Sequence, residues 1–283
     1  MNKPDAGPLV SVIIPTFNRG WIVAEAIQSV LAQTYRQFEL IVVDDGSTDR
    51  TASILHEFQD HIRIIRQTNQ GVSAARNQGV DAAQGAFVAF LDSDDLWKPE
   101  KLAVQVNFFL SNSEALICQT DEIWIRNGRR INPKIYHQKP SGDIFLPSLA
   151  LCLVSPSAVM LKKDFFQQVG GFDESLPACE DYDLWLRISC RHPVFLIPDQ
   201  LVVKRGGHAD QLSKNPGLDR YRIVSLLNLL KTQPLSPLQR QATVAMLVKK
   251  TKIYTGGCIK HGRQEEAAQI KRLVEEEVAG WFD

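Results

Sequence analysis

The run Ala86-Phe87-Val88-Ala89-Phe90-Leu91, followed at once by Asp92-Ser93-Asp94-Asp95, decides how this chain is read. Six mostly β-prone residues, preceded by Gly85 and closed by a carboxylate cluster, predict a buried strand that ends in a charged loop. Three carboxylates within four positions repel one another, and such a cluster persists where a cation sits among them or where water screens them. Taken alone, a solvated turn with an Asp cap for the helix after Pro99 accounts for the same residues, since Asp is common at strand ends and helix N-caps.

Upstream of this stretch, strand and helix patterns alternate. Residues 9–14 form a strand run ending at Pro15, and residues 21–32 show helical periodicity through Ile22, Ala26, Val30 and Leu31. A second strand at 38–43 closes on Asp44-Asp45-Gly46-Ser47. A helix follows from about Asp49, then a strand at 62–65 and a helix at 73–83. This alternation predicts right-handed βαβ units and an α/β fold with a mostly parallel central sheet and flanking helices. Ligands of such sheets bind at the carboxyl ends of the strands, where Asp45 and the Asp92 cluster both fall.

Downstream, a helix at 98–110 is followed by strand patterns at 116–125 and 157–161. Residues 126–142, with several basic residues, Pro133, Pro140 and two glycines, read as a mobile surface loop. Helical signal returns at 181–190, short strands follow near Phe195 and Val202, and helices at 221–231, 238–254 and 264–278 complete the chain. The expected organisation is one α/β domain over residues 1–213, with halves at about 8–97 and 98–213, and a C-terminal helical region over 214–283.

The totals narrow the function classes. With 283 residues the chain can bury a substantial core. Hydrophobic residues at 44% and charged residues at 23% fit a soluble globular protein. Lys plus Arg equals Asp plus Glu at 32 each, which removes any global electrostatic case for nucleic-acid binding. Cys118, Cys152, Cys179, Cys190 and Cys258 form no C-x-x-C pair, so reduced thiols are expected instead of disulfides or a zinc site. The first residues lack the apolar core of a signal peptide, and no apolar stretch approaches the roughly 18 residues of a membrane span. The expected location is cytoplasmic, with peripheral contact at the inner face of a membrane left open.

Local chemistry is more specific. The first strand ends in Pro15-Thr16-Phe17-Asn18, so neither a G-x-G-x-x-G fingerprint nor a P-loop is present. Asp45 can accept a hydrogen bond from a base N–H or a ribose hydroxyl, while Ser47, Thr48 or Asp49 caps the next helix. In Asn69-Gln70-Gly71-Val72-Ser73-Ala74-Ala75-Arg76-Asn77, small residues allow close helix packing, and Arg76 reaches a base or phosphate or else serves as an ion-pair residue. Hard oxygen ligands without nearby Cys or His suit Mg²⁺ or Mn²⁺ on a diphosphate better than zinc. In Cys179-Glu180-Asp181-Tyr182-Asp183-Leu184-Trp185, the acidic pair complements a helix N-terminus or presents a general base at a cleft rim.

These motifs, V-S-V-I-I-P-T-F-N-R, V-D-D-G-S-T-D, N-Q-G-V-S-A-A-R-N, F-L-D-S-D-D and E-D-Y-D-L-W-L-R, occur in order over roughly residues 8 to 212. Together they resemble the inverting family 2 glycosyltransferases with the GT-A fold. The resemblance implies transfer of a single sugar from a nucleotide-diphosphate sugar to an acceptor hydroxyl, with the nucleotide-sugar half first and the acceptor half second. It implies that Pro15, Thr16, Asn18 and Asp45 line the nucleobase pocket, that Gly71 and Arg76 border it, and that Asp92-Ser93-Asp94 is the D-x-D element. One of Asp94 and Asp95 holds Mn²⁺ or Mg²⁺ and its neighbour the ribose. The general base aligns with Asp181, with Glu180 as the alternative holder.

His208, within residues 206–213, resembles a segment that closes over the diphosphate and there binds phosphate or metal. A surface histidine is the plain alternative. The implied partners are a donor, most commonly UDP-linked, and a sugar or lipid-linked glycan acceptor for cell-surface polysaccharide or glycolipid. The Q-x-x-R-W signature of processive synthases is absent. Arg126, Arg129, Arg130, Lys134 and Lys139 contact an anionic or lipid-linked acceptor or form a solvated loop. Lys249, Lys250, Lys252 and Lys260 touch a membrane, support homo-oligomers or pack on the domain. Two competing classes stand beside this one. A nucleotidyltransferase needs a Gly-rich basic loop that the first strand does not supply. A non-catalytic nucleotide-sugar sensor or scaffold has no use for Asp181.

Overall fold

The computed structural model describes residues 7–132, 134–208 and 217–279. Strand β1 (Val10–Thr16) is buried along its whole length and pairs in parallel with β2 (Phe38–Asp44) on one side and β4 (Phe87–Phe90) on the other. Pairing with β4 ends at Ile13–Phe90, so Pro15 enters β1 only where no β4 partner remains. β3 (Arg63–Arg66) extends the parallel set beyond β2. Helices α1 (Val23–Leu31), α2 (Thr51–His56), α3 (Val72–Ala82) and α4 (Lys101–Ser111) connect or follow these strands.

β1 shows why the sheet is covered on both faces. Val10, Val12 and Ile14 join a core with Val23, Ala26 and Ile27 of α1 and Leu102 and Val106 of α4. Ile13 faces the opposite core, with Ala75 and Val80 of α3. Near-continuous apolar strands are what burial on two faces demands. Helix α3 lies so close to the sheet that a Cβ on Gly79 would stand 2.5 Å from a methyl of Ile13.

Parallel pairing dominates only the first half. The full order is β3-β2-β1-β4-β8-β6-β9-β5, with β8 (Val159–Lys162) antiparallel to both β4 and β6 (Ile117–Arg126). β9 (Phe195–Gly206) runs parallel to β6, and the short β5 (Leu96–Trp97) closes the edge antiparallel to β9. The sheet is therefore mixed.

Two further expectations change. Residues 126–142, expected as a loop, begin with a hairpin in which β7 (Arg129–Ile131) pairs antiparallel to β6, and then contain a 3₁₀ turn at Ile135–His137. The two short strands expected near Phe195 and Val202 are one strand. Its register on β6 jumps from Thr120–Ile197 to Asp121–Gln200, leaving Pro198 and Asp199 outside the ladder.

The remaining helices are α5 (Phe145–Ser148), α6 (Lys163–Gln168), α7 (Glu180–Ser189), α8 (Leu218–Thr232), α9 (Pro237–Lys260) and α10 (Gln264–Val278). Helix α9 opens with a full capping box, in which the Ser236 hydroxyl and the Gln239 amide exchange bonds with each other's backbone. Helices α8–α10 share a third core with Phe145 of α5 and with Tyr182 and Leu186 of α7. The C-terminal helices thus pack directly behind α7. The expected boundary at 213/214 lies outside the described residues.

Candidate active site

Thr16, Asp45 and the Asp92 cluster lie at the carboxyl ends of β1, β2 and β4, Glu180 and Asp181 at the N-terminus of α7, and Gly71 and Arg76 at the start of α3. Asp44 and Asp45 terminate β2 with different tasks. Asp44 accepts the Ser47 amide at 2.9 Å and pairs with Arg66 at 3.1 Å. Asp45 accepts the Gln67 side-chain amide at 2.8 Å and the Gln70 and Gly71 backbone amides at 2.9 Å each. Gly71 takes φ 93° there, a conformation only glycine adopts at low cost. A carboxylate offers about four acceptor positions, so Asp45 keeps one for a ligand N–H.

Beside it, Thr16 is buried and its hydroxyl has no partner among the described residues. Asn18 takes φ 52° and its side-chain oxygen accepts the Thr48 amide at 2.8 Å. It ties the loop after β1 to the loop after β2. Pro15 is buried at the end of β1.

Arg76 takes the ion-pair alternative of the two read for it. Its buried guanidinium donates to Asp92 at 2.7 Å and to Glu180 at 2.6 Å, with the Phe172 ring 5.0 Å from its central carbon. One cation thus joins the end of β4 to the start of α7, with Arg76 and Glu180 themselves 104 positions apart in the chain. Burial works against the charge, but Asp92 and Glu180 outweigh it and raise the Arg76 pKa.

Within the acidic loop, Asp94 and Asp95 are separated by their partners. Asp95 is 2% exposed; its oxygens accept the Ser157 hydroxyl at 2.6 Å and the Arg205 amide at 2.8 Å. Burial raises its carboxyl well above the ordinary range. Among the described residues the side chain of Asp94 makes no such anchoring bonds; burial and Asp92 raise its pKa, against the opposing fields of Arg19 and His208. Among the described residues no three His, Cys, Asp or Glu side chains form a preformed metal cage. That donor set fits Mg²⁺ or Mn²⁺, which take one or two carboxylates and complete their shell with substrate phosphates. His208 packs edge-on against Trp21 with ring centroids 4.8 Å apart. The segment continuing from it, residues 209–213, lies outside the described residues.

At the start of α7, the two candidate bases have unlike surroundings. Glu180 is 5% exposed and committed to Arg76. Asp181 is partly exposed; one oxygen accepts the Tyr182 amide at 2.7 Å and the other the Cys152 thiol at 3.4 Å. Cys152 is held well above the usual thiol range by burial and by Asp181. Asp183 pairs with Arg187, whose guanidinium also binds the Val169 and Gly171 carbonyls and so fixes the Gly170-Gly171-Phe172 turn.

Several organising residues were not visible in the sequence. Ser157 accepts the Asp92 amide at 3.1 Å while donating to Asp95, and Arg205 reaches the Asp94 carbonyl and Glu25. The Lys204 ammonium loses stability through burial, yet Glu122, Asp95, Asp92 and Asp181 raise its pKa. Of the basic loop, Lys139 is not a solvated side chain: it is buried 3.1 Å from Glu122. Lys250 is buried against the Ala150 carbonyl and Asp219, in keeping with the packing alternative for these lysines. Lys249, Lys252 and Lys260 are exposed. No helix among the described residues is long and apolar enough to cross a membrane.

Comparison with known proteins converges on one family. The model for "Glycosyl transferase family 2" matches residues 11–170, more than half of the chain. An uncharacterized glycosyltransferase of Rickettsia bellii is 35% identical over 219 residues, which are 73% of this chain and 31% of that protein. The chain therefore spans only about a third of the length of that relative. Escherichia coli WfgD, named a UDP-Glc:alpha-D-GlcNAc-diphosphoundecaprenol beta-1,3-glucosyltransferase, is 36% identical over 64% of this chain and 69% of its own.

Among solved structures, Staphylococcus aureus TarS 1-349 superposes with a TM-score of 0.69 at 21% identity, covering 85% of this chain and 71% of that one. The mannosyltransferase PcManGT of Pyrobaculum calidifontis, solved with GDP-Man and Mn²⁺, gives 0.59 at 18% identity over 95% and 81%. Both likenesses support the GT-A arrangement of sheet and helices. With the motif order, the sheet and the match over residues 11–170 in agreement, the chain belongs to glycosyltransferase family 2.

Proposed function

We propose that this chain transfers one sugar from a nucleoside-diphosphate sugar to an acceptor hydroxyl with inversion, using Asp181 as general base and Asp94 as the protein ligand of a divalent cation. The observation that carries this reading is the Asp92–Arg76–Glu180 bridge, which brings the acidic loop and the α7 N-terminus to one place. The names of WfgD and of the PcManGT complex support a nucleotide-diphosphate donor, a divalent metal and a lipid-linked acceptor.

Asp45, with Thr16 and Gly71 beside it, would take the base and ribose. Because the backbone amides of Gln70 and Gly71 already fix its carboxylate, binding there needs little reordering. Asp95 is consumed by Ser157 and β9, so Asp94 is the carboxylate left for the metal. Asp94 would hold the cation, which when bound would supply neutralisation of the charge on the departing nucleoside diphosphate. Asp181 takes the acceptor proton as the new C–O bond forms, since a carboxylate is too weak a base to remove it beforehand. Glu180, paired with Arg76, positions the helix end and leaves Asp181 as the base. The name of WfgD supports reading the reaction as a step of cell-surface glycan assembly, which would take place at the inner face of a membrane.

A thermal-shift series with UDP, GDP and dTDP tests the donor site. The matching nucleoside diphosphate raises Tm in Mn²⁺ or Mg²⁺ and fails to do so in EDTA. Equal stabilisation in EDTA contradicts the metal assignment, and no stabilisation by any of the three contradicts the donor site.

A further inference from the structure

The acceptor half contains a cavity of about 690 Å³ that none of the residues above uses. Its walls include Ile135, Tyr136, Pro140, Leu151 and Leu153, with Lys139 also at its surface. That volume falls within the range of small-molecule sites. Ile135 and Tyr136 are 82% and 61% exposed, a grouping of large apolar side chains that marks an interaction site more often than plain surface.

The cavity adjoins the proposed reaction centre through three consecutive residues. Leu151 and Leu153 line it, and Cys152 between them donates to Asp181. An extended chain advances about 3.5 Å per residue, so the wall and the base are neighbours. Cationic groups stand at the same place. Lys139 donates to the Thr120 carbonyl at 3.0 Å and stands 3.1 Å from Glu122, and of its three N–H donors these described partners need not take every one. The Lys134 ammonium stands 5.7 Å from the centre of the ring of Tyr136, which lines the cavity. An apolar cavity edged by ammonium groups complements an amphiphile with an anionic head.

We infer that this cavity seats the hydrocarbon segment of a phosphate-bearing lipid acceptor, with the phosphate toward Lys134 and Lys139 and the sugar hydroxyl toward Asp181. The inference rests on the reading of Asp181 as the base, and it deepens that reading by locating where the lipid of the acceptor binds. Each CH₂ buried in such a cavity strengthens binding roughly fourfold.

The test uses hexyl, octyl and decyl phosphate below their micelle concentrations, with calorimetric titration into the full chain. Affinity rises at least tenfold from hexyl to decyl phosphate, and decanol and inorganic phosphate each bind at least tenfold more weakly than decyl phosphate. Leu151→Asp flattens the chain-length series; Ile135→Ser, at an exposed position that leaves folding intact, halves its slope or more. A flat series in the unaltered protein overturns the inference, as does a slope that survives both substitutions. Binding to phosphatidylglycerol vesicles without binding to monomeric decyl phosphate assigns the surface to a membrane and overturns it too. Donor hydrolysis in Mn²⁺ is measured on the same samples. Its absence counts against the transferase reading, whereas intact hydrolysis with a flat series counts against the cavity alone.

Discussion

Asp45 and Asp181 are both carboxylates at the mouth of the sheet, and they are held in opposite ways. Three amide donors fix Asp45, two of them from the backbone of the loop it organises. Among the described residues, Asp181 has its neighbour's amide and a weak thiol donor. The first arrangement suits a group that must keep its place. The second leaves carboxylate acceptor positions that the described residues do not use. The halves that carry them differ likewise: regular parallel strands around Asp45, and irregular segments joined by long-range ion pairs around Asp181.

The comparison breaks first at Arg76, the link between the halves. Arg76→Ala leaves Asp92 and the buried Glu180 without their cation, and truncating one partner of a buried pair costs about 3–5 kcal/mol. Urea denaturation should show that loss, and an unchanged midpoint would mean that the bridge holds nothing together.

The buried Glu122 tests the acceptor half through pH. Burial alone would raise its carboxyl, but Lys139 and Lys204 bring it down to about 2. A depressed carboxyl contributes stability above its unfolded pKa of about 4.5, and that contribution disappears as pH falls toward 2; linkage sets it at up to about 3 kcal/mol. The stability difference between the native chain and Glu122→Gln should therefore shrink as pH drops from 4.5 to 2. A pH-independent difference contradicts the pairing.

A smaller effect separates the two carboxylates themselves. Asp45→Asn turns one acceptor oxygen into a donor facing the loop amides, at a cost of about 1–3 kcal/mol. It should also weaken nucleotide binding. Asp181→Asn should change stability by less than about 1 kcal/mol, as expected for a partly exposed side chain with few partners. Equal costs at the two positions would erase the distinction drawn here.

Legibility in the sequence followed the range of the forces. β1, β2 and β4 could be read because burial on both faces writes a continuous apolar run. Helix α7 could be read because Leu184, Trp185 and Ile188 recur at helical spacing and are all buried. The acidic loop announced itself by composition. By contrast, Arg76 acquires its partners from residues 16 and 104 positions away, and Ser157 and Arg205 reach the loop across 62 and 110. Nothing local signals such contacts. β9 was divided in reading because Pro198-Asp199 interrupts its pattern, and the register jump on β6 absorbs that interruption. β5 is two residues long and exists through its pairing with β9.

The central claim is that Asp181 acts as the base and does not hold the donor. The most direct measurement compares Asp181→Asn with the native chain for sugar transfer and for Mn²⁺-dependent nucleotide diphosphate affinity. The account predicts turnover lower by about 10²–10⁴-fold with affinity changed less than about threefold, the scale of a lost general base. Turnover within a few-fold of native would contradict it.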